Sequence, residues 1–332
     1  MPNLSLTREY DRIFTIMRDE AIDQQLWDNV SARTALLYCY KEKGAIKIVG
    51  GHEHLSFKIL KQLPTTSGYS DDDVLTPVRA DPYTRAVYIW KQLQCPVMIT
   101  GRDMIQTGEG AEPDLLASFI EAAEISMRDA IGGSAVGIYS DGDETVENEI
   151  TGLQNILTSS ETTGTVGQLS RATFTNWRHQ VQNVSSAFDT NGLNRMSTLY
   201  REVTFADESP DIVVLTGATY DNFIREVTRT FEVQLPLGVV GPGNQGMIDA
   251  GFENIRFHNA LMFPDDGVPA DSGYFINSNY INLYVRQGRN AELTDFIKSR
   301  EYDDLVAYVL WAGNQVCKGL RYNGFLQNGD TY

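Results

Sequence analysis

The feature that most constrains the fold is the run from Gly51 to Ser140. Two alternating apolar segments, Leu55–Ile59 and Thr84–Ile99, flank Gln62–Pro82, about twenty polar residues punctuated by Pro64, Gly68, Pro77 and Pro82. Alternation through Val87, Ile89 and Trp90 predicts strand. The insert carries Asp71-Asp72-Asp73 and has no period of its own. A structureless stretch of that length argues against a compact domain. A hairpin that projects from the body and is ordered by something outside its own chain accommodates it, which points to assembly more than catalysis.

A long helix is expected next. Pro113 suits a first helical turn, and Glu112 and Asp114 suit the positive end of the dipole. Leu116, Phe119, Ile120, Ala123 and Met127 form one apolar stripe that continues to Ala130 and Ile131, while Glu121, Glu124, Arg128 and Asp129 lie largely off it. With continuation through Gly132-Gly133 to Tyr139, the helix would run about 40 Å at ~1.5 Å per residue. Upstream, residues 8–43 read as helical and Gly44 as a helix stop after Lys41 and Lys43. Downstream, Asp141–Glu149 is an acidic, turn-rich link. Then come a helix at Asn191–Phe205, a buried strand at Asp211–Thr216, a helix at Ala218–Phe231, and strands at Asn254–Met262, Tyr274–Val285 and Leu305–Val316. The class is α+β.

Charge narrows the partners. With 27 Lys plus Arg against 44 Asp plus Glu, the 332-residue chain carries a formal charge of −17. Such a surface repels a nucleic-acid backbone and opposes self-association unless contacts are specific and large. Cys39, Cys95 and Cys317 are far apart and have no metal spacing, so reduced structural thiols are expected. No apolar run reaches the ~18 residues of a spanning helix, and Met1–Tyr10 lacks a signal-peptide core. Cytoplasmic synthesis and no membrane partner are expected.

No complete catalytic set is visible, so the chain reads as a non-enzyme. Gly241-Pro242-Gly243-Asn244-Gln245-Gly246 matches G-x-G-x-x-G, with Asp265 and Asp266 downstream. The helix that should follow is stopped by Gly251, too soon to lay a dipole under a pyrophosphate, and a flexible loop is the reading preferred. His52 and His54 share one strand face but lack a third metal ligand. His179 lacks a catalytic partner, and packing is its expected role. Asp141-Gly142-Asp143-Glu144 resembles a calcium loop, but Val146 and Gly152 stand where such a loop needs Gly and Glu. A solvated acidic turn is expected. No cofactor is implied.

The order of these elements resembles the Hong Kong 97 fold of tailed-phage major capsid proteins. The segments that carry the resemblance include Leu36-Leu37-Tyr38, Val87–Thr100, Glu121–Ser140 ending in Tyr139-Ser140-Asp141-Gly142, Gly164–Gly167 with Arg171-Ala172-Thr173 and Trp177-Arg178, Asp211–Thr216, Gly251–Ile255 and Tyr274–Asn277. They span about residues 10–328; none is diagnostic alone, and specificity lies in their order and spacing. The resemblance implies residues 1–47 as an N-terminal arm and 48–105 as an extended loop and its root. It implies 106–150 with 251–295 as a peripheral domain, and 151–250 with 296–332 as an axial domain. Assembly residues would be Lys58, Lys61, Tyr69, Asp71, Asp72, Asp73 and Arg79, with Gly241, Gly243 and Gly246 in an axial loop.

The resemblance further implies hexamers and pentamers of one chain forming an icosahedral virion shell around double-stranded DNA, without sequence-specific binding. Portal and possible decoration proteins would be separate chains, and because a built-in scaffold is not expected, the resemblance implies a separate scaffolding protein or a scaffold removed ahead of these residues. Two other readings stay open: a nucleotide-binding enzyme using Gly241–Gly246, and a same-fold compartment enclosing protein cargo.

Overall fold

The computed structural model describes residues 34–61, 63–64, 66–72, 74, 81–101, 112–185, 187–231, 240–241, 254–298 and 302–332. Helix α1 (Ala35–Glu42) opens this portion. Gly44, at φ 65°, donates to the Lys41 carbonyl, and Ala45 donates to that of Tyr40. This pair of hydrogen bonds closes the helix, and only a residue free to enter the left-handed region makes it without strain. The expected helix over residues 8–33 lies outside the described residues.

Strand β1 (Ile46–Val49) leads to the hairpin β2 (His54–Leu60) and β3 (Tyr83–Ile89), paired antiparallel from His54↔Ile89 to Leu60↔Tyr83. The single apolar run expected over Thr84–Ile99 is cut at Trp90, and β4 (Lys91–Thr100) then joins the body. Helix α2 (Glu112–Gly132) packs on β4.

Two corrections concern α2. It stops at Gly132 and is about 32 Å long at ~1.5 Å per residue. The chain folds back over its own end: Ile138 N–H donates to the Ile131 carbonyl, and a Cβ on Gly137 would sit 2.3 Å from that oxygen. The second correction is the helix phase. Ile120, Ala123, Met127 and Ile131 are buried, but Phe119 is exposed and Arg128 is buried. The buried positions Ile120, Ala123, Met127 and Ile131, at spacings of three, four and four, centre the face near Ile120, and Phe119, about 100° round the helix from Ile120, falls at its edge. The side chain of Leu116 lies outside the described residues.

The second half contributes α3 (Leu153–Ile156), β5 (Thr165–Val166), β6 (Leu169–Ser170), β7 (Gln180–Asn183), α4 (Phe188–Val203), β8 (Ile212–Leu215) and α5 (Gly217–Phe231). Next are β9 (Val240–Gly241), β10 (Ile255–Phe257), β11 (Ala260–Pro264), β12 (Ser272–Ile276) and β13 (Ile281–Arg286). The chain ends with β14 (Glu292–Leu293), β15 (Ile297–Lys298), β16 (Asp304–Cys317) and β17 (Gly324–Gln327).

Among the described residues these strands form two large sheets. In one, β16 pairs with β4, β13, β14 and β15, and β1 adds in parallel to β13. The other runs β7-β17-β12-β8-β11-β10-β9, with α4 and α5 packed against it. The expected grouping of 251–295 with the long helix and 296–332 with the other domain is therefore corrected. Residues 255–276 belong to the sheet of β8, whereas 281–317 return to the sheet beneath α2. Strand periodicity reports which face is buried but not which strand is the neighbour, so sequence alone could not assign the crossover at Asn277–Tyr280.

Candidate assembly interface

The tip of the hairpin gets little cover from the described residues of its own chain. An isolated two-stranded ribbon is marginally stable in water, and this one ends in side chains that nothing covers. Leu63, Tyr69 and Val74 are 69%, 72% and 88% exposed. Asp71 and Asp72 lie in an exposed turn. Asp73 and Arg79 lie outside the described residues. Lys58 and Lys61 are held within the chain: Lys58 Nζ sits 3.7 Å above the Tyr83 ring and Lys61 Nζ lies 5.8 Å from that of Phe174. The Lys61 carbonyl accepts from Asn176 Nδ2.

The root, by contrast, is tightly bonded to the body. Tyr88 Oη donates to the Cys317 carbonyl at 2.7 Å, and Val87 N–H donates to that of Gly167. Asn314 Nδ2 donates to the Ile89 carbonyl while its Oδ1 accepts from Thr151 N–H. Glu144 accepts from Ile89 N–H at 3.1 Å and from Thr151 Oγ1 at 3.0 Å. Burial raises the Glu144 pKa; Asp141 and residues 145–148 of the acidic turn are exposed as expected, and the Glu144 carboxylate is drawn in as a structural clasp.

At its centre is Lys91, fully buried, whose Nζ donates to the carbonyls of Asp143 and Val146. Burial lowers its pKa, while Glu144 and Asp143 favour its charged form. Lys91, Thr151 and Asn314 were not singled out from the sequence, and Glu144 was read only as part of a solvated turn. One signal was present: Lys91 has the same parity as Val97 and Ile99, on the buried face of β4, so a charge there demanded a partner.

The remaining candidates do not converge on chemistry. His54 opens β2, exposed and 3.7 Å from Glu53, whereas His52 precedes the strand and offers its carbonyl to Trp90 Nε1. Among the described residues no group of three or more His, Cys, Asp and Glu side chains could hold a metal ion. His179 is buried, its Nε2 lies 2.6 Å from the Thr158 carbonyl oxygen, and its pKa is pushed down to about 3, first by burial and then by Arg171. All three cysteines are free thiols, and burial raises those of Cys39 and Cys317. Gly241 lies in β9, which pairs antiparallel with β10 at a sheet edge. A dinucleotide fingerprint instead follows a parallel strand inside a βαβ unit. Gly243 and Gly246 lie outside the described residues. Among those described, no helix is long and apolar enough to cross a membrane.

No protein-family model matches the chain, and no curated protein matches its sequence. Solved structures do. A chain of the cyanophage A-1(L) capsid asymmetric unit superposes with a TM-score of 0.59 at 13% identity, covering 88% of this chain and 93% of that one. The capsid of a native GTA particle gives 0.55 at 10% identity, over 87% and 89%. A Mycobacterium phage Bobi chain gives 0.53 at 12% identity, over 86% and 89%.

The chain has the Hong Kong 97-type capsid fold. An encapsulin complex of Synechococcus elongatus shares it, with a TM-score of 0.51 at 13% identity over 85% of this chain and 84% of that one.

Proposed function

We propose that this chain is a structural shell subunit, without catalytic activity, that assembles as hexamers and pentamers into an icosahedral capsid enclosing double-stranded phage DNA. The observation that carries the reading is the rigid hairpin root combined with an uncovered apolar loop, on a fold shared with phage capsids. Apolar side chains so exposed are stabilised only by burial elsewhere, and a loop ordered by its neighbour couples folding to assembly. Acidic walls would hold packaged DNA without trapping it. Scaffolding, portal and decoration proteins would be separate partners.

A second reading, a compartment around protein cargo, is favoured by the likeness to the encapsulin complex. Electron microscopy of the purified chain tests the shell. Nuclease-protected DNA in those shells supports the capsid reading. Closed shells that hold protein and no nucleic acid support the compartment, and a monodisperse monomer at every concentration and salt refutes both.

A further inference from the structure

We propose that the groove at the hairpin root is the seat for the acidic loop tip of a second copy of this chain, with Arg286 and Arg289 receiving Asp71 and Asp72. This deepens the shell reading and rests on it. The groove has a volume of about 960 Å³. Its apolar wall is built from Trp90, Leu93 and Leu310 over the buried Trp311. Its charged rim carries Arg286, the last residue of β13, and Arg289. The turn between them is fixed: Gly288 takes φ 77°, Arg289 N–H donates to the Arg286 carbonyl, and the Arg289 carbonyl accepts from Ala312 N–H at 2.8 Å. Both side chains are exposed, and among the described residues neither guanidinium has an anionic partner.

The loop tip is the complement. Asp71 and Asp72 are exposed and, among the described residues, without an ion pair, beside Tyr69 and near Val74. A guanidinium takes a carboxylate through two parallel hydrogen bonds, and the Trp90 wall offers a ring such as Tyr69 an apolar face. The eleven residues from Leu60 to Asp71 can span up to ~36–40 Å, beyond a β2 of about 24 Å at ~3.4 Å per residue. At a formal charge of −17, copies repel unless opposite charges meet locally. Glu53 and Glu147 also border the groove, with Glu53 beside His54, so the aspartates are directed to the arginine rim.

The test uses the full chain, with assembly followed by light scattering and electron microscopy. Arg286→Glu with Arg289→Glu, and separately Asp71→Arg with Asp72→Arg, should keep the wild-type unfolding midpoint yet lower the yield of shells about tenfold, equivalent to ~1.4 kcal/mol. The combined four-residue swap should restore it. In a second arm, Asp72→Cys with Arg289→Cys should give disulfide-linked ladders on a non-reducing gel, absent from either single variant. Wild-type yield from the charge-reversed variants, or no rescue and no ladder, overturns the proposal. A wild-type chain that never assembles overturns the shell reading beneath it instead.

Discussion

Replacing Arg171 with Met tests how the described chain holds one of its two fully buried cations, the other being Lys91. The Arg171 side chain is fully buried. Its Nη2 donates to the carbonyls of Asn155 and Ile156 at 2.6 and 2.7 Å, and Nη1 donates to Thr158 Oγ1 and the Thr163 carbonyl at 2.7 and 3.1 Å. One guanidinium thus fastens the whole 155–163 segment. Bonds from a charged donor contribute ~1.5–3 kcal/mol each, a gross ~6–12 kcal/mol. Burial opposes this: it holds the Arg171 pKa down to about 10, a cost of about 3 kcal/mol at ~1.4 kcal/mol per pH unit. Water reaching the freed carbonyls recovers a further part. Arg171→Met should therefore cost ~3–5 kcal/mol, the range for breaking a buried charge interaction. Urea unfolding of the unassembled subunit, read by fluorescence of the neighbouring buried Trp177, should show the midpoint fall by about 1 M or more. Exposed Arg201→Met is the control and should stay within ~0.5 kcal/mol. A loss below ~1 kcal/mol for Arg171→Met would show that other contacts hold the segment.

His179 predicts an acid-labile subunit. Its folded pKa of about 3 lies below the unfolded value of ~6.5, so its contribution is complete above pH 6.5 and is lost as pH falls towards 3. Between pH 7 and 5 the wild type should lose ~2 kcal/mol more than His179→Gln, measured by urea unfolding at each pH; equal losses would remove His179 as the cause. On α2, Met127→Ala should cost ~2–5 kcal/mol, whereas Phe119→Ala should cost less, because Phe119 is 36% exposed against 2% for Met127; thermal unfolding that reverses this order would refute the helix phase. Joint replacement of Leu63, Tyr69 and Val74 by Ser should leave the subunit's unfolding midpoint unchanged yet abolish most shell formation in micrographs. Normal shells would detach the loop from assembly.

Elements with strong internal period were legible from sequence. The run at Ile212–Leu215 is a strand buried along its length, and the pattern over Ala218–Phe231 is the helix expected. Gly44 was legible because a left-handed residue has few other uses after Lys43. Lost were the features set by long-range partners. Asn254–Met262 and Tyr274–Val285 read as single strands, but His258 at φ 52° and the turn at Asn277–Tyr280 divide them into four that serve two sheets. Leu305–Val316 gave no hint that its partner was Lys91–Thr100, about two hundred residues earlier. At the candidate interface, the exposed tip was readable from its composition. The clasp at the root was not, because Lys91, Glu144 and Asn314 acquire meaning only when three distant segments meet.

The passage from hairpin to body takes a single residue, Trp90, after which ten consecutive residue pairs join Lys91–Thr100 to β16. A neighbour that tugs on the loop therefore pulls on a strand seamed along its whole length. Tension carried down that strand is shared by all ten pairs at once, where a perpendicular load would open them one at a time. The same β16 anchors β13, β14 and β15, so in the proposed shell it would serve as a tie-rod, spreading a pull on the loop across the width of the sheet.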